Sequence, residues 1–350
     1  MRMLSRRGRL LTGALAVGAT LALAACGGTP ADGSADPEAT AGEDPAEYYQ
    51  GKTITMIVPY NPGGGFDSFL RLLAPHLEDE LDGVTIRVEN QPGGGGLIGA
   101  NLVYQAEPDG LTVGLINYPG AVFAEVTDTE GVAFDNAEWS FYGRLGALPP
   151  LVYTGPDSEY TTFEDILESD RPVKFGLGGV GSDAWYVAVA ISKVFGFPNE
   201  IIGGYPGSAE ADGALLVGEV DASVNSGGAG VLMVEGSGAH GVVAISNDPL
   251  PQLPDVPVIS DFGDADQQEI LTALASMYDL ERLVVGPPGV PDERIQYLAD
   301  AIFRAASQPG YAEEMEAASY PVNPLDRAGT VELAGRASAA VGTLAELLNE

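Results

Sequence analysis

Three glycine-rich turns hold the residue pattern best suited to chemistry in this chain. They are Pro62-Gly63-Gly64-Gly65-Phe66-Asp67, Pro92-Gly93-Gly94-Gly95-Gly96, and the cluster Gly176, Gly178, Gly179, Gly181 and Ser182. Each follows a short apolar run and opens a stretch with helical spacing. Glycine lets the backbone turn tightly and lets a ligand reach the main chain. The helix that follows offers unpaired N–H groups and a partial positive charge, which together bind anions. These turns therefore predict anion capture by backbone donors, in two separate parts of the chain.

Other chemistries find no support. Gly94-Gly95-Gly96-Leu97-Ile98-Gly99 satisfies G-x-G-x-x-G. A dinucleotide site also needs an acid closing the next strand, and Leu111–Ile116 ends instead in Asn117-Tyr118. Gly51-Lys52-Thr53 looks like the end of a P-loop, but Ala46 stands where its first glycine belongs and the triplet precedes its strand. No G-x-S-x-G occurs, and the only histidines are His76 and His240. Tyr48-Tyr49 reads as a packing cap at the start of the fold. A single cysteine excludes an intrachain disulfide, a Cys-rich zinc site and an iron–sulfur cluster.

The elements that must position these turns alternate in type. Ile54–Val58, Val84–Val88 and Leu111–Ile116 read as buried strands. Between them, Phe69–Leu81 and Leu97–Tyr104 carry helical spacing. That β-α-β-α-β order predicts a parallel sheet with helices on its faces. It recurs with strands at Val173–Leu177, Ile201-Ile202, Val220–Val224 and Val242–Ile245, and helices at Ala184–Phe195 and Ser208–Val217. Leu151–Tyr153 and Leu283–Val285 sit where the chain would cross between two such units. Residues 291–306 and 330–348 close the chain as helices.

Size and charge fit this layout. The 350 residues are 45% hydrophobic and 19% charged, a globular composition. Chains beyond about 250–300 residues usually divide their core, so two lobes are expected. There are 16 basic and 50 acidic residues, and four of the basic ones (Arg2, Arg6, Arg7, Arg9) fall in the first ten positions. Such an acidic surface repels nucleic acid and anionic headgroups.

The first 25 residues read as an export signal: a basic start, an apolar stretch from Leu10 to Ala25, and Leu23-Ala24-Ala25 before Cys26. Small residues before a lone cysteine resemble the bacterial lipobox, which makes Cys26 the expected lipidation site. Ser5-Arg6-Arg7-Gly8-Arg9-Leu10 resembles a twin-arginine signal, with Arg9 in place of the usual Phe. Residues 27–47 contain only Gly, Ala, Pro, Ser, Thr, Asp and Glu, and read as a solvated tether.

A resemblance joins these features. Tyr48-Tyr49-Gln50-Gly51-Lys52-Thr53-Ile54, then Ile57–Asp67 and Arg71-Leu72-Leu73-Ala74, resemble the opening of the Bug family, the extracytoplasmic solute receptors of tripartite tricarboxylate transporters. Val88–Ala100 is similar to that family's second loop. Pro108-Asp109-Gly110, Gly179-Val180-Gly181-Ser182, Gly218-Glu219-Val220-Asp221, Leu253–Pro257 and Pro287–Pro291 also fit.

The resemblance implies an α/β, two-lobed, type II periplasmic-binding-protein-like fold, each lobe a mostly parallel sheet with flanking helices. It implies a hinge of two crossing strands and a cleft that closes on a carboxylate. The layout expected is a signal peptide over 1–25, a lipidated Cys26 and tether over 26–47, lobe 1 from 48–148 and 262–350, and lobe 2 from 149–261. Ligand contacts are expected at Tyr60, Gly63, Gly64, Gly65, Phe66, Asp67, Gly95, Gly96, Gly179, Gly181, Ser182, Tyr205 and Asp221. Arg71 is expected in a structural ion pair.

The implied function is delivery of a small organic carboxylate to a membrane permease of one large and one small subunit. No catalysis, cofactor, metal or nucleic acid is expected, and the receptor is expected to be a lipid-anchored monomer outside the cell membrane. A sensor module or a two-lobed exported enzyme are the competing readings. Three departures from the family bear on the ligand. Pro206 replaces a basic residue in Tyr205-Pro206-Gly207, Trp185 replaces a histidine after the Ser182 loop, and Phe66 is bulkier than usual.

Overall fold

The computed structural model describes residues 44–349 apart from 179–181, 206 and 321. The expected signal, Cys26 and tether up to residue 43 lie outside the described residues, as do Gly179 and Gly181. Chain order begins with α1 (Pro45–Tyr49), β1 (Thr53–Val58), α2 (Gly65–Glu80), β2 (Thr85–Asn90), α3 (Leu97–Tyr104), β3 (Thr112–Ile116), α4 (Tyr118–Val126) and β4 (Ser140–Arg144). It continues with β5 (Leu151–Thr154), α5 (Phe163–Leu167), β6 (Val173–Gly176), α6 (Asp183–Phe195), β7 (Asn199–Ile202), α7 (Ser208–Leu216), β8 (Ala222–Asn225), α8 (Gly227–Ser237) and β9 (His240–Ala244). It closes with α9 (Ala265–Tyr278), β10 (Leu283–Gly286), α10 (Asp292–Ala306), α11 (Pro309–Ala317) and α12 (Arg327–Asn349).

Two five-stranded sheets result, ordered β2-β1-β3-β10-β4 and β7-β6-β8-β5-β9. They share one plan. Three parallel strands come first, the fourth is antiparallel, and the fifth pairs antiparallel with the fourth. Four of five strands in each sheet therefore point the same way.

The odd strand is β10 in one sheet and β5 in the other. These are the runs expected to form a hinge by crossing between lobes. Each instead lies within a sheet and is the first strand after a crossing. The chain passes from the first sheet to the second through 145–150 and returns within 259–282, and these two passages bond to each other. Leu145 N–H donates to the Arg282 carbonyl at 3.1 Å, and Leu148 N–H donates to Glu281 Oε2 at 3.0 Å.

Burial on both faces explains why the inner strands β3, β5 and β10 read as nearly unbroken apolar runs, whereas the edge strands β2 and β7 stay partly exposed. Alternate β1 residues Ile54, Met56 and Val58 join a core with Phe69 and Leu73 of α2, Leu298 of α10 and Tyr311 of α11. Ile57, from the opposite face, enters a second core shared with Phe123 of α4, Tyr186 of α6 and Leu271 of α9. β10 divides likewise, with Val284 in the first core and Leu283 and Val285 in the second. That second core also takes in Phe175 and Val224 of the other sheet, so the lobes are joined by apolar packing as well as by chain.

Candidate functional site

A cavity of about 610 Å³ lies between the two sheets' helix-bearing loops. Four uncapped or side-chain-capped helix starts reach it. The α2 start contributes Gly64, Gly65 and Phe66, α6 contributes Ser182 and Asp183, α7 contributes Gly207 and Ser208, and α8 contributes Ser226. Asn117, the N-cap of α4, also lines it. Among the described residues, no side chain caps α2, α7 or α8. Each such end carries about half a positive charge and N–H groups without intrahelical partners. A larger cavity of about 770 Å³ opens beside Arg144, α8 and α11, but none of the sequence-predicted site residues lines it.

The first glycine turn is shaped by Asp67. Its carboxylate accepts from Gly63 N–H at 2.9 Å, from Arg71 Nε at 2.8 Å and from Asn90 Nδ2 at 2.9 Å. Burial alone would raise its pKa, but the bonds from Arg71, Gly63 and Asn90 outweigh that and hold it below the usual carboxylate range. Gly63 and Asp67 thus build the loop and do not line the cavity, while Arg71 sits in the structural ion pair expected of it. Gly64 and Gly65 are left facing the cleft. A Cβ at Gly65 would lie 3.1 Å from Arg282 Nη2 and 3.0 Å from Tyr320 Cε1.

The second turn serves differently. Gly93, Gly94, Gly95 and Gly96 all have positive φ (129°, 59°, 67° and 105°), which side chains rarely tolerate. The coil they form seats Tyr60, whose hydroxyl donates to the Gly95 carbonyl at 3.4 Å. A Cβ on Gly96 would meet that hydroxyl at 3.0 Å. The N–H groups of Gly96 and Ile98 turn back to the Gly93 carbonyl, so this loop walls the cleft more than it offers donors.

In the second lobe, Ser182 Oγ caps α6 by accepting from Trp185 N–H at 3.3 Å. Its hydroxyl hydrogen remains available to a ligand, and Tyr205 lines the same side. Asp221 does not reach the cavity. It accepts from Arg171 Nη1 and Nη2 at 2.7 and 2.9 Å and from Lys174 N–H at 2.8 Å, bracing β6 against β8 elsewhere. Its expected ligand contact is corrected on that ground: the glycine-acid motif there is structural.

Sequence reasoning missed the cation. Arg282, 2% exposed, lines the floor of the cleft from the crossing segment, with φ of 55°. Its guanidinium lies 4.8 Å from the Phe66 ring and 4.9 Å from the Phe69 ring. Phe66, expected to narrow the cleft, therefore also supports the cation. Nη1 stands 2.6 Å from Glu281 Oε2, close but out of line for a hydrogen bond, and Nε and Nη1 have no acceptor among the described residues. Burial pushes Glu281 up to about 7, with Arg282 opposing and Asp183 adding to the rise. Burial likewise raises Asp183, against the pull of Ala184 N–H, Asn117 and Arg282. Tyr60 is raised by burial and by Asp183, which keeps it a neutral donor.

The two-lobed fold, with helix N-termini around the cleft between its sheets, is shared with solved structures. A TctC solute binding protein from Polaromonas is 19% identical with a TM-score of 0.66, covering 86% of this chain and 99% of its own. MatC from Rhodopseudomonas palustris, solved with bound malate, is 20% identical with a TM-score of 0.67, covering 85% and 98%. In sequence, BugT of Bordetella pertussis is 28% identical over 233 residues, covering 62% of this chain and 68% of its own. The family described as the tripartite tricarboxylate transporter family receptor matches residues 69–349, and the chain belongs to it.

Proposed function

We propose that this protein is an extracytoplasmic receptor that captures a small organic carboxylate and delivers it to a tripartite tricarboxylate-type permease. One observation carries the reading: the starts of α2, α6, α7 and α8 converge on a cleft floored by the buried cation Arg282. Backbone N–H groups of Gly64, Gly65 and Phe66 hold the carboxylate from lobe 1, and the Ser182 hydroxyl holds it from lobe 2. Each hydrogen bond to a charged group contributes about 1.5–3 kcal/mol, which matters only where closing lobes exclude water. The malate carried by MatC supports this ligand class.

In this reading the receptor acts as a monomer, catalyses nothing, and is tethered through lipidated Cys26. Its partner is a permease of one large and one small subunit. A diacylglyceryl group plus an N-acyl chain exceeds the two-signal requirement for stable anchoring. Cys26→Ala then moves the protein out of the membrane fraction; retention there at high salt refutes the anchor. For the cleft, the test is a thermal-shift screen of mono-, di- and tricarboxylates, in which at least one raises the melting temperature. A flat response to all of them, with neutral sugars and amines stabilising instead, refutes the carboxylate assignment.

A further inference from the structure

Among the described residues, the charged side chains lining the cleft are one cation and two acids: Arg282, Glu281 and Asp183. Glu281 is committed to Arg282, 2.6 Å away, and to Leu148 N–H at 3.0 Å. Asp183 begins α6 in the opposite lobe, where its carboxylate accepts from Ala184 N–H at 2.9 Å. The groups facing these acids are Tyr60 from the loop after β1, Asn117 at the start of α4, Tyr278 at the end of α9, and Arg282. Only the last is charged. With both acids ionised, the side chains therefore leave one negative charge over, in a site that must accept an anion.

Resting on the carboxylate reading above, we propose that the cleft takes up its ligand together with one proton from solvent, held on the Asp183–Glu281 pair. One carboxylate of the pair becomes a carboxylic acid, the ligand keeps its own charge, and the medium loses one proton. The new O–H also serves as a donor, so the acid that would repel the ligand turns towards it. Burial already favours this step, since it lifts both acids and brings Glu281 to about 7. A second anion in the same low-dielectric space raises them further. Arg282 cannot do the neutralising alone, because Glu281 shares its charge.

The test is calorimetric titration of the whole protein with L-malate and with L-aspartate, which carries an ammonium where malate has a hydroxyl. Phosphate and Tris buffers at pH 7.5 differ in ionisation enthalpy and so report proton uptake. L-malate is expected to draw about half to one proton per site, and its Kd to weaken several-fold, up to about tenfold, per pH unit above 7. Glu281→Gln keeps an acceptor for Leu148 N–H, and Asp183→Asn keeps the α6 start polar; at least one of them flattens the pH slope and tightens L-malate at pH 8.5. A melting curve identifies a variant that fails to fold, and the other then decides. Malate binding without proton uptake, or an unchanged slope in both variants, overturns the proposal while leaving the receptor reading intact. So does L-aspartate binding tighter than L-malate without uptake, because the ligand then brings the positive charge. If neither these two nor succinate nor citrate binds between pH 5.5 and 8.5, the carboxylate reading falls with it.

Discussion

Replacing Arg282 with Met tests the cleft floor directly. Arg282 and Glu281 are each 2% exposed, with Nη1 and Oε2 2.6 Å apart. Removing one partner of a buried pair costs about 3–5 kcal/mol, because the remaining charge is left without compensation. Glu281 escapes part of that cost by holding a proton, and holding it against rising pH costs about 1.4 kcal/mol per unit. The penalty of Arg282→Met is therefore pH-dependent. At pH 8 the full ~3–5 kcal/mol is expected. At pH 5.5, Glu281 is already protonated in the folded protein. The loss there shrinks to the rings of Phe66 and Phe69 losing their cation, roughly 1–2 kcal/mol.

The sign for the parent protein follows the same logic. A carboxyl whose pKa rises to about 7 on folding binds more protons folded than unfolded, so its contribution to stability falls as pH rises towards 7. Urea unfolding of the parent, Glu281→Gln, Arg282→Met and the double variant at pH 5.5 and 8.0 measures all of this. The double variant should lose clearly less at pH 8 than the two singles together. Equal losses at both pH values, or additivity within about 0.5 kcal/mol, refute the buried-pair argument.

Three further outcomes are expected. Gly65→Val puts its side chain against Arg282 Nη2 and the Tyr320 ring, at 3.1 and 3.0 Å already for its Cβ, and should weaken L-malate binding more than about tenfold; calorimetry showing unchanged affinity would place the carboxylate elsewhere. Ser182→Ala removes the α6 cap and a ligand donor together, costing about 0.5–2 kcal/mol of stability and about 1–3 kcal/mol of binding, and a loss of neither in melts and titrations sinks both roles. Asp67→Ala strips the Gly63 turn of its acceptor and should destabilise by about 2–4 kcal/mol at neutral pH, a loss that fades as acid protonates the parent's Asp67, since a depressed carboxyl stabilises only above its folded pKa. An equal deficit at pH 2.5 and pH 7 in denaturant titrations would contradict that.

Much of the architecture was legible because its signals are local. β1, α2, α3 and β3 fall where apolar periodicity and glycine punctuation put them, and the α2 turn faces the cleft as its glycines suggested. What was not legible depends on distant partners. Arg282 stands outside every glycine motif, and nothing near it in sequence says that its neighbours are Phe66, Phe69 and the α2 start. Its sequence signal is faint: an adjacent acid–base pair immediately before an apolar strand. Asp221 misled for the converse reason. A glycine-turn acid resembles a ligand contact until Arg171, fifty residues earlier, is seen to hold it. α8 went unread because Gly227, Gly228, Gly230 and Gly236 dilute helical spacing, although burial of its glycines against Leu148 and Leu151 is what lets it pack so closely.

The placement of β10 has a consequence for the order in which the lobes are finished. β5 to β9 form one sheet from a single continuous stretch of chain, which closes as soon as that stretch exists. The other sheet leaves a gap between β3 and β4 that only Leu283–Gly286 fills. Until synthesis passes Gly286, β3 pairs only with β1 on its other side, and the edges of β3 and β4 that face the gap have unpaired N–H and C=O groups. Pairing over so long a separation is slow, since loop closure precedes any gain in contacts. The late strand thus sets the order of assembly, leaving the sheet of lobe 1 incomplete until most of the chain has been made.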